Sequence, residues 1–467
     1  MGGIIFASAK SMDCPSGPAA RITIHRKTAA SSGARIRKIA EMDFGHINSS
    51  NILRALIRVG CAALICIAAG GNGIAQELER ENTVADRHRP GLDAEGMPLG
   101  GFRLFPAVGL GLVHKDNVFA TEAEEQSDTV IMVRPELELV SESSRHEATI
   151  GAEAELARYN DFDGEDYDDL DVYADGHLVL GNGRLQAELR HSDLHEDRTS
   201  ADDARGIEPT QFTIDKVAGA YSWKPGRWMT TFDAGYRKFE FDDTAALIVP
   251  IDNADRDRDV TELGLRLARE MSPSYALYAE AKAKQIEYEQ QFDRNGFERS
   301  SDGFSAVVGS LMDFSGQTFG EVFAGYLERK YDDPRYGTAD GPTFGARVTW
   351  NVTGLTTLIF IGSRGIDSTT VAGAAGIDTT EFGFAANHEL LRNLILNLDL
   401  SFANEDFDGI DRDDDITRAM VGGKYFMNRY LNLEFGYAYH DRSTSPANTG
   451  AREFEINQFF VHLVGQL

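Results

Sequence analysis

From Phe102 to Leu467 the chain alternates between apolar and polar positions with a period of two. In one segment Leu394, Leu396, Leu398, Leu400 and Phe402 alternate with Asn397, Asp399 and Ser401. In another, Leu431, Leu433, Phe435, Tyr437 and Tyr439 alternate with Asn432, Glu434, Gly436, Ala438 and His440. Leu185, Ala187 and Leu189 against Gln186, Glu188 and Arg190 repeat the pattern, as do Leu263, Leu265 and Leu267 against Glu262, Gly264 and Arg266. Successive side chains of a strand leave on opposite faces, so each segment reads as a strand with one apolar and one polar face. Short turns rich in Gly, Pro and Asn, which supply tight hairpin dihedrals, join the strands in pairs. They fall at Ser143-Ser144-Arg145, Gly181-Asn182-Gly183, Lys224-Pro225-Gly226, Ser272-Pro273-Ser274, Ser315-Gly316-Gln317, Thr353-Gly354, Leu391-Arg392-Asn393 and Met427-Asn428-Arg429. Longer, acid-rich loops separate the hairpins. Eight short turns and nine long loops predict an all-β, antiparallel transmembrane β-barrel of about 18 strands (16–18) over residues 102–467.

A soluble sandwich has the same period, so further features decide. The strands run to roughly 10–16 residues, against a globular mode of about 5–6. Trp223, Trp228, Tyr275, Phe314, Trp350, Phe426 and Tyr430 gather by the short turns. Tyr159, Phe162, Tyr167, Phe239, Phe241, Tyr288, Tyr331 and Phe407 gather by the long loops. Two such belts match two membrane interfaces, and the division into short and long connections matches periplasmic turns and extracellular loops. A propeller or solenoid fits the turn-to-turn spacing of roughly 37–48 residues but leaves the belts unexplained. An even strand number puts both ends of the barrel on the periplasmic side.

The polar faces then line a lumen. They place Glu188, Arg190, Asp233, Arg237, Glu262, Arg266, Glu280, Lys282, Lys284, Arg347, Asp399, Arg418, Lys424 and Glu434 inside, with Glu153 and Glu155. Such groups bound a water-filled channel and set a field across it; they also pair across strands and fill space. Both uses are expected. The other possibility is a lumen blocked by an inward-folded loop, for which the segment 242–259, apolar from Ala245 to Ile251, is the candidate.

Composition sharpens this picture. The 467 residues hold 46 Lys plus Arg and 74 Asp plus Glu, a net charge of −28, which argues against nucleic acid as a partner. Mean hydropathy is negative and no apolar run reaches the roughly 18 residues of a spanning helix. That excludes a helical membrane protein only, because a barrel strand hides its apolar half in alternation. Arg54 and Arg58 precede an apolar run from Val59 to Ala69, and small residues follow up to Ala75. This is the form of a signal peptide cleaved after Ala75, with Met42 as the start and the residues before it an extension. Cys14, Cys61 and Cys66 all fall within residues 1–75, so the rest has no disulfide framework and no Cys-based metal site. Those 75 residues carry 9 basic and 3 acidic groups, leaving 37 and 71 beyond them, a net of −34. Residues 76–101, with Pro90 and Pro98 and no strand pattern, read as a flexible periplasmic leader; partner docking is the alternative.

The barrel opens with Gly101-Phe102-Arg103-Leu104-Phe105-Pro106, then Lys115-Asp116-Asn117-Val118-Phe119, Ser127-Asp128 and Arg134-Pro135-Glu136-Leu137. This resembles the opening of the putative β-barrel porin 2 family of Gram-negative outer membranes. The shared pattern rests on Pro106, Asp116, Asn117, Ser127, Asp128 and Pro135 and covers about 40 residues of close match. The chain ends in Leu467, where outer-membrane barrels commonly end in Phe or Trp. The resemblance implies an outer-membrane barrel, often linked to exopolysaccharide secretion loci.

Other chemistry is sparse. The acidic runs Asp161–Asp166, Asp252–Asp259 and Asp411–Asp415 lack EF-hand spacing and read as solvated loops bridged by divalent ions to lipopolysaccharide. His191 beside Ser192 is the only pair to suggest a hydrolase, and no Gly-x-Ser-x-Gly elbow accompanies it. No cofactor, no metal site and no enzyme activity are expected. The reading is an outer-membrane channel, with exopolysaccharide secretion as one cargo. A structural or adhesive barrel with a closed lumen is the alternative, and a hydrolase a weaker one. Expected partners are outer-membrane lipid, lipopolysaccharide, the barrel assembly machinery, and polysaccharide or small solutes.

Overall fold

The computed structural model describes residues 83–467 apart from 144, 145, 315, 447–450 and 452. Met42, the apolar run and its cleavage site at Ala75, and the turn residues Ser144, Arg145 and Ser315 lie outside the described residues. Eighteen long strands form one antiparallel cylinder: β1 (Phe102–Lys115), β2 (Asp128–Ser141), β3 (His146–Tyr159), β4 (Tyr167–Leu180), β5 (Gly183–His195), β6 (Gln211–Trp223), β7 (Trp228–Phe241), β8 (Arg258–Ser272), β9 (Tyr275–Tyr288), β10 (Ser301–Phe314), β11 (Thr318–Tyr331), β12 (Thr338–Thr353), β13 (Thr356–Asp367), β14 (Gly376–Leu391), β15 (Leu394–Asp408), β16 (Asp413–Asn428), β17 (Leu431–Ser445) and β18 (Phe454–Gln466). Each pairs with its sequence neighbours, and β18 closes on β1 from Gln458↔Lys115 to Gln466↔Ala107. Closure leaves no wall strand with an unpaired edge, the condition for a sheet to cross lipid. The short connections lie where the turn residues put them, all on the rim that also holds the start of β1 and the end of β18.

Strand parity sets the two surfaces. Val108, Leu110 and Leu112 on β1, Leu185 and Leu189 on β5, and Phe382 on β14 are exposed outward. Their neighbours in sequence face inward, so apolar side chains that would be anomalous on a soluble protein form the lipid-facing skin.

The two aromatic belts do not both form. By the short turns, Trp223, Tyr275, Phe314, Trp350 and Tyr430 are exposed outward, but Phe426 is buried inside. By the long loops, Tyr167, Phe239, Phe241, Tyr288, Tyr331 and Phe407 are all buried in the interior. The reason is parity: Phe239 and Phe241 stand two and four positions on from Arg237 and share its inward face, as Tyr288 shares that of Lys284. Phe212, Phe239, Phe241, Val260, Ile286 and Tyr288 make one packed cluster there. At about 1.5–3 kcal/mol per buried large side chain, the loop-side half of the barrel has a core like that of a soluble protein.

The leader is also part of the fold. Residues 97–99 pair with Phe102–Leu104 of β1. Upstream, Val84 is fully buried against Ile395 of β15 and Phe426 of β16, with Leu92 beside them. These wall residues face the lumen at the short-turn end, so the segment lies inside that mouth and is no flexible tail over this stretch.

Candidate functional site

The fourteen charged residues that parity assigns to the lumen stand on the strand face opposite the exposed apolar side chains. Most are joined in pairs of opposite sign. Lys216 Nζ lies 2.6 Å from Glu188, Arg190 lies 2.7 Å from Asp171, and Arg237 lies 3.3 Å from Glu262. Arg266 reaches both Glu280, at 2.5 Å, and Glu321, at 3.0 Å. Lys282 lies 3.4 Å from Glu280, Lys284 lies 3.9 Å from Glu262, and Lys424 lies 2.7 Å from Glu434. Asp233 lies over Gly264, where a Cβ would come within 2.3 Å of its carboxylate. Lys216, Asp171 and Glu321 join this set beyond the residues named from the sequence; their parity against the exposed Val217, Leu170 and Tyr326 is the signal that finds them.

This pairing divides the wall. From β4 to β11 it is dense in paired charge. From β13 to β15 the inward positions are mostly small or neutral, as at Ile361, Ser363, Gly365, Gly383, Ala385 and Ser401. Asp399 stands on this wall and Arg347 and Arg418 border it, and none of the three has an ion pair among the described residues. Arg347 is directly opposite Glu321 in the β11–β12 register, but Arg266 holds that carboxylate. Arg347 is left exposed toward the lumen.

The loops close the far mouth. The segment 242–259 does not constrict it: Leu247 and Ile248 at its tip are 90% and 94% exposed. The loop 196–210 between β5 and β6 does. Its Asp202 accepts from Thr369 Oγ1 at 2.8 Å and from the Thr370 N–H at 2.9 Å, in the loop between β13 and β14. Those loops leave the rim eight strands apart in a ring of eighteen, so the contact bridges the mouth nearly along its diameter. Ala201 packs with Val371 and Phe407 beneath it.

Arginines pin this lid. Arg198 donates to Glu165 in the loop before β4, at 2.9 and 2.5 Å. Arg256 donates twice to the fully buried Glu196, at 2.9 and 2.7 Å. Arg299, from the loop before β10, donates to the carbonyls of Thr369, Ala374 and Val371 at 2.6, 3.0 and 3.2 Å, and pairs with Asp293 at 2.7 Å. A forked guanidinium can satisfy several acceptors at once, which suits it to joining loops whose carbonyls would otherwise be buried unpaired.

Asp197, in the same loop, makes the lid acid-sensitive in a defined range. Burial pushes its carboxyl up, but Lys115, the Thr199 N–H and His195 pull it down further, to about 2. A carboxyl depressed on folding stabilises above its unfolded value, about 3.9, and loses that contribution as pH falls through the folded one. The lid should therefore hold from neutral pH to about 4 and loosen between about 4 and 2. Proteolysis of loop 196–210 after brief acid exposure checks this; loosening already at pH 5–6 would contradict it.

The residues of the opening motif hold backbone. Asp116 accepts from the backbone and side-chain nitrogens of Asn457 on β18, at 2.7 and 2.8 Å. Asn117 donates to the carbonyls of Thr121 and Glu455, at 2.7 and 3.1 Å. Asp128 accepts from the N–H groups of Thr129, Asp161 and Phe162. Pro106 and Pro135 face outward on β1 and β2, and Ser127 is exposed at the loop end. The motif thus fixes the first loops and the closing seam. His191 and Ser192 point to opposite faces: His191 outward to Asp215 at 2.7 Å, Ser192 inward to Asp171 at 2.7 Å. Consecutive strand residues cannot face each other, so they do not form a nucleophile–base pair.

Residues 89–467 match the family model described as Putative beta-barrel porin 2. The chain belongs to this family. The porin is therefore an outer-membrane β-barrel of a Gram-negative cell, and its matched span takes in most of the ordered leader. No curated protein matches it. Among solved structures it is similar to OpdK of Pseudomonas aeruginosa with vanillate (12% identity, TM-score 0.42, 78% of this chain and 99% of that one). It is also similar to OccK2 (OpdF) of the same organism in complex with glucuronate (12%, 0.44, 79% and 99%). A third is the siderophore receptor PirA of Acinetobacter baumannii (8%, 0.39, 78% and 80%).

Proposed function

We propose that this porin is a gated channel for small hydrophilic solutes, which pass along the plainer β13–β15 wall when the lid lifts. The observation that carries the reading is Arg347. It is a lumen-facing guanidinium whose register partner is engaged elsewhere, so its charge acts on whatever occupies the lumen, while the paired charges opposite largely cancel. Planar-bilayer recordings test it: discrete open steps are expected, with a preference for anions. Arg347→Glu changes the local charge by two units, and at about 1 kcal/mol per close pair in water the anion-to-cation permeability ratio should fall roughly fivefold or more. A ratio unmoved by the substitution would remove Arg347 from the path.

The bridged mouth favours a second reading, a structural barrel with a permanently closed lumen. It predicts no current even when the lid is weakened. Exopolysaccharide as cargo, which the family resemblance suggests, is a narrower form of the channel reading. Block of the open current by a long polysaccharide but not by its monosaccharide would support it.

A further inference from the structure

We infer that residues 83–95 form an internal strap that narrows the periplasmic mouth and regulates passage by docking and undocking. The inference rests on the channel reading. The strap leaves the barrel at residues 97–99, beside β1, and runs along the inner rim to β13. Glu95 pairs with Arg429 in the β16–β17 turn. The buried Arg89 stacks over Phe426, 5.3 Å from its ring centre, and lies 3.6 Å from Glu389 of β14. The Val84 N–H donates to Thr357 Oγ1 of β13 at 2.9 Å. Arg87 reaches the carbonyl of Gly354 in the β12–β13 turn.

The kind of contact distinguishes this segment from the wall. Each wall strand is held to both neighbours by a ladder of backbone hydrogen bonds. The segment has ladder pairing only at residues 97–99; beyond that, apart from the Gly96 N–H bonded to the Leu467 carbonyl at 3.2 Å, its polar contacts with the wall run through side chains, among them those just named. A segment with little backbone pairing opens at lower cost than the laddered fold around it. The contacts farthest from β1 are also specific: Thr357, which accepts from the Val84 N–H, and Glu389 belong to strands five and four places round the ring from β18. Releasing them swings the segment out on the short β1 pairing without breaking a wall ladder.

The lack of cysteine beyond Cys66 allows a direct test in the full chain. Val84→Cys with Ile395→Cys, two members of one buried cluster, places the only two thiols among the described residues. Oxidation to the disulfide should lock the strap. Reduction should then raise single-channel conductance about twofold, or produce reversible steps between two levels. Arg89→Ala, without any crosslink, should give the same increase and speed thiol labelling of the single variant Val84→Cys by at least about tenfold. Equal currents in oxidised and reduced protein, or labelling unaltered by Arg89→Ala, overturn the strap. Current absent in every state, with labelling still accelerated, overturns the channel reading and the strap's regulatory role with it.

Discussion

Arg256→Ala is expected to open the outer mouth. Arg256 is the only ion-pair partner of Glu196 among the described residues, and both are buried. Removing one side of a buried pair costs about 3–5 kcal/mol because the other charge is left unsolvated. Loop 196–210 can avoid that cost by lifting Glu196 into water, which also withdraws Asp202 from Thr369 and Thr370. The wall ladders are untouched, so the barrel should stay folded while its conductance rises severalfold. Trypsin should then cut after Arg198 or Arg205, which intact protein resists at the buried Arg198. Arg256→Met, which keeps the bulk over Phe241 (4.1 Å from the guanidinium to the ring centre), should behave the same way if charge is the cause. A lid that stays protease-resistant with unchanged conductance would refute the pinning argument.

Gly309→Leu should do the opposite kind of damage, weakening the wall and leaving the lid intact. A Cβ at Gly309 would come within 2.4 Å of the Tyr278 ring, which lies across the inner face of β10. That ring stacks under Arg266 at 4.2 Å and packs with Ala268, Ala276, Val307 and Leu311. It has no free direction in which to yield. Overpacking of this kind costs about 1–3 kcal/mol, here with the loss of the Arg266 stacking added. Refolding into detergent should give a lower yield and an earlier thermal transition. Gly365→Ala, also inward on the wall but with nothing within 4 Å of the added carbon, is the matched control and should be near neutral.

The sequence carried the wall almost completely, because a barrel strand is a local pattern. Leu394 to Phe402 declares its own two faces, and the turn residues mark where the chain reverses. Parity placed the lumen charges from Glu188 to Glu434 with no knowledge of neighbours. What parity cannot give is which charges meet: Arg266 reaching Glu280 on the next strand and Glu321 two strands beyond it depends on side-chain reach across the sheet. The aromatics by the long loops answer to strand parity before they answer to depth. Distance from a loop assigns Phe239, Phe241 and Tyr288 to an interface belt, whereas their parity with Arg237 and Lys284 places them inside. The lid was least legible. Apolar character singled out 245–251, but that tip is exposed, and the mouth is bridged by the polar Asp202 through a contact 167 residues distant in sequence. A leader without periodicity likewise gave no sign that Val84 would seat against Ile395 and Phe426.

The seam where β18 meets β1 adds a constraint of another kind. Arg134 on β2 donates to His462 on β18 at 2.9 Å and to Glu155 on β3 at 2.6 Å, and Tyr167 on β4 donates to that same Glu155. The Arg134–His462 contact joins residues 328 apart, whereas every other wall junction is made by consecutive strands. Loop closure over such a span is entropically the slowest event available to the chain. The hairpins should therefore assemble in sequence and the cylinder should shut last. Until it does, β1 and β18 are bare edges competent to pair with any other strand. The polar contacts across the seam, Arg134 with His462 and Asp116 with Asn457, should favour the chain's own first strand over a stranger's at that final step.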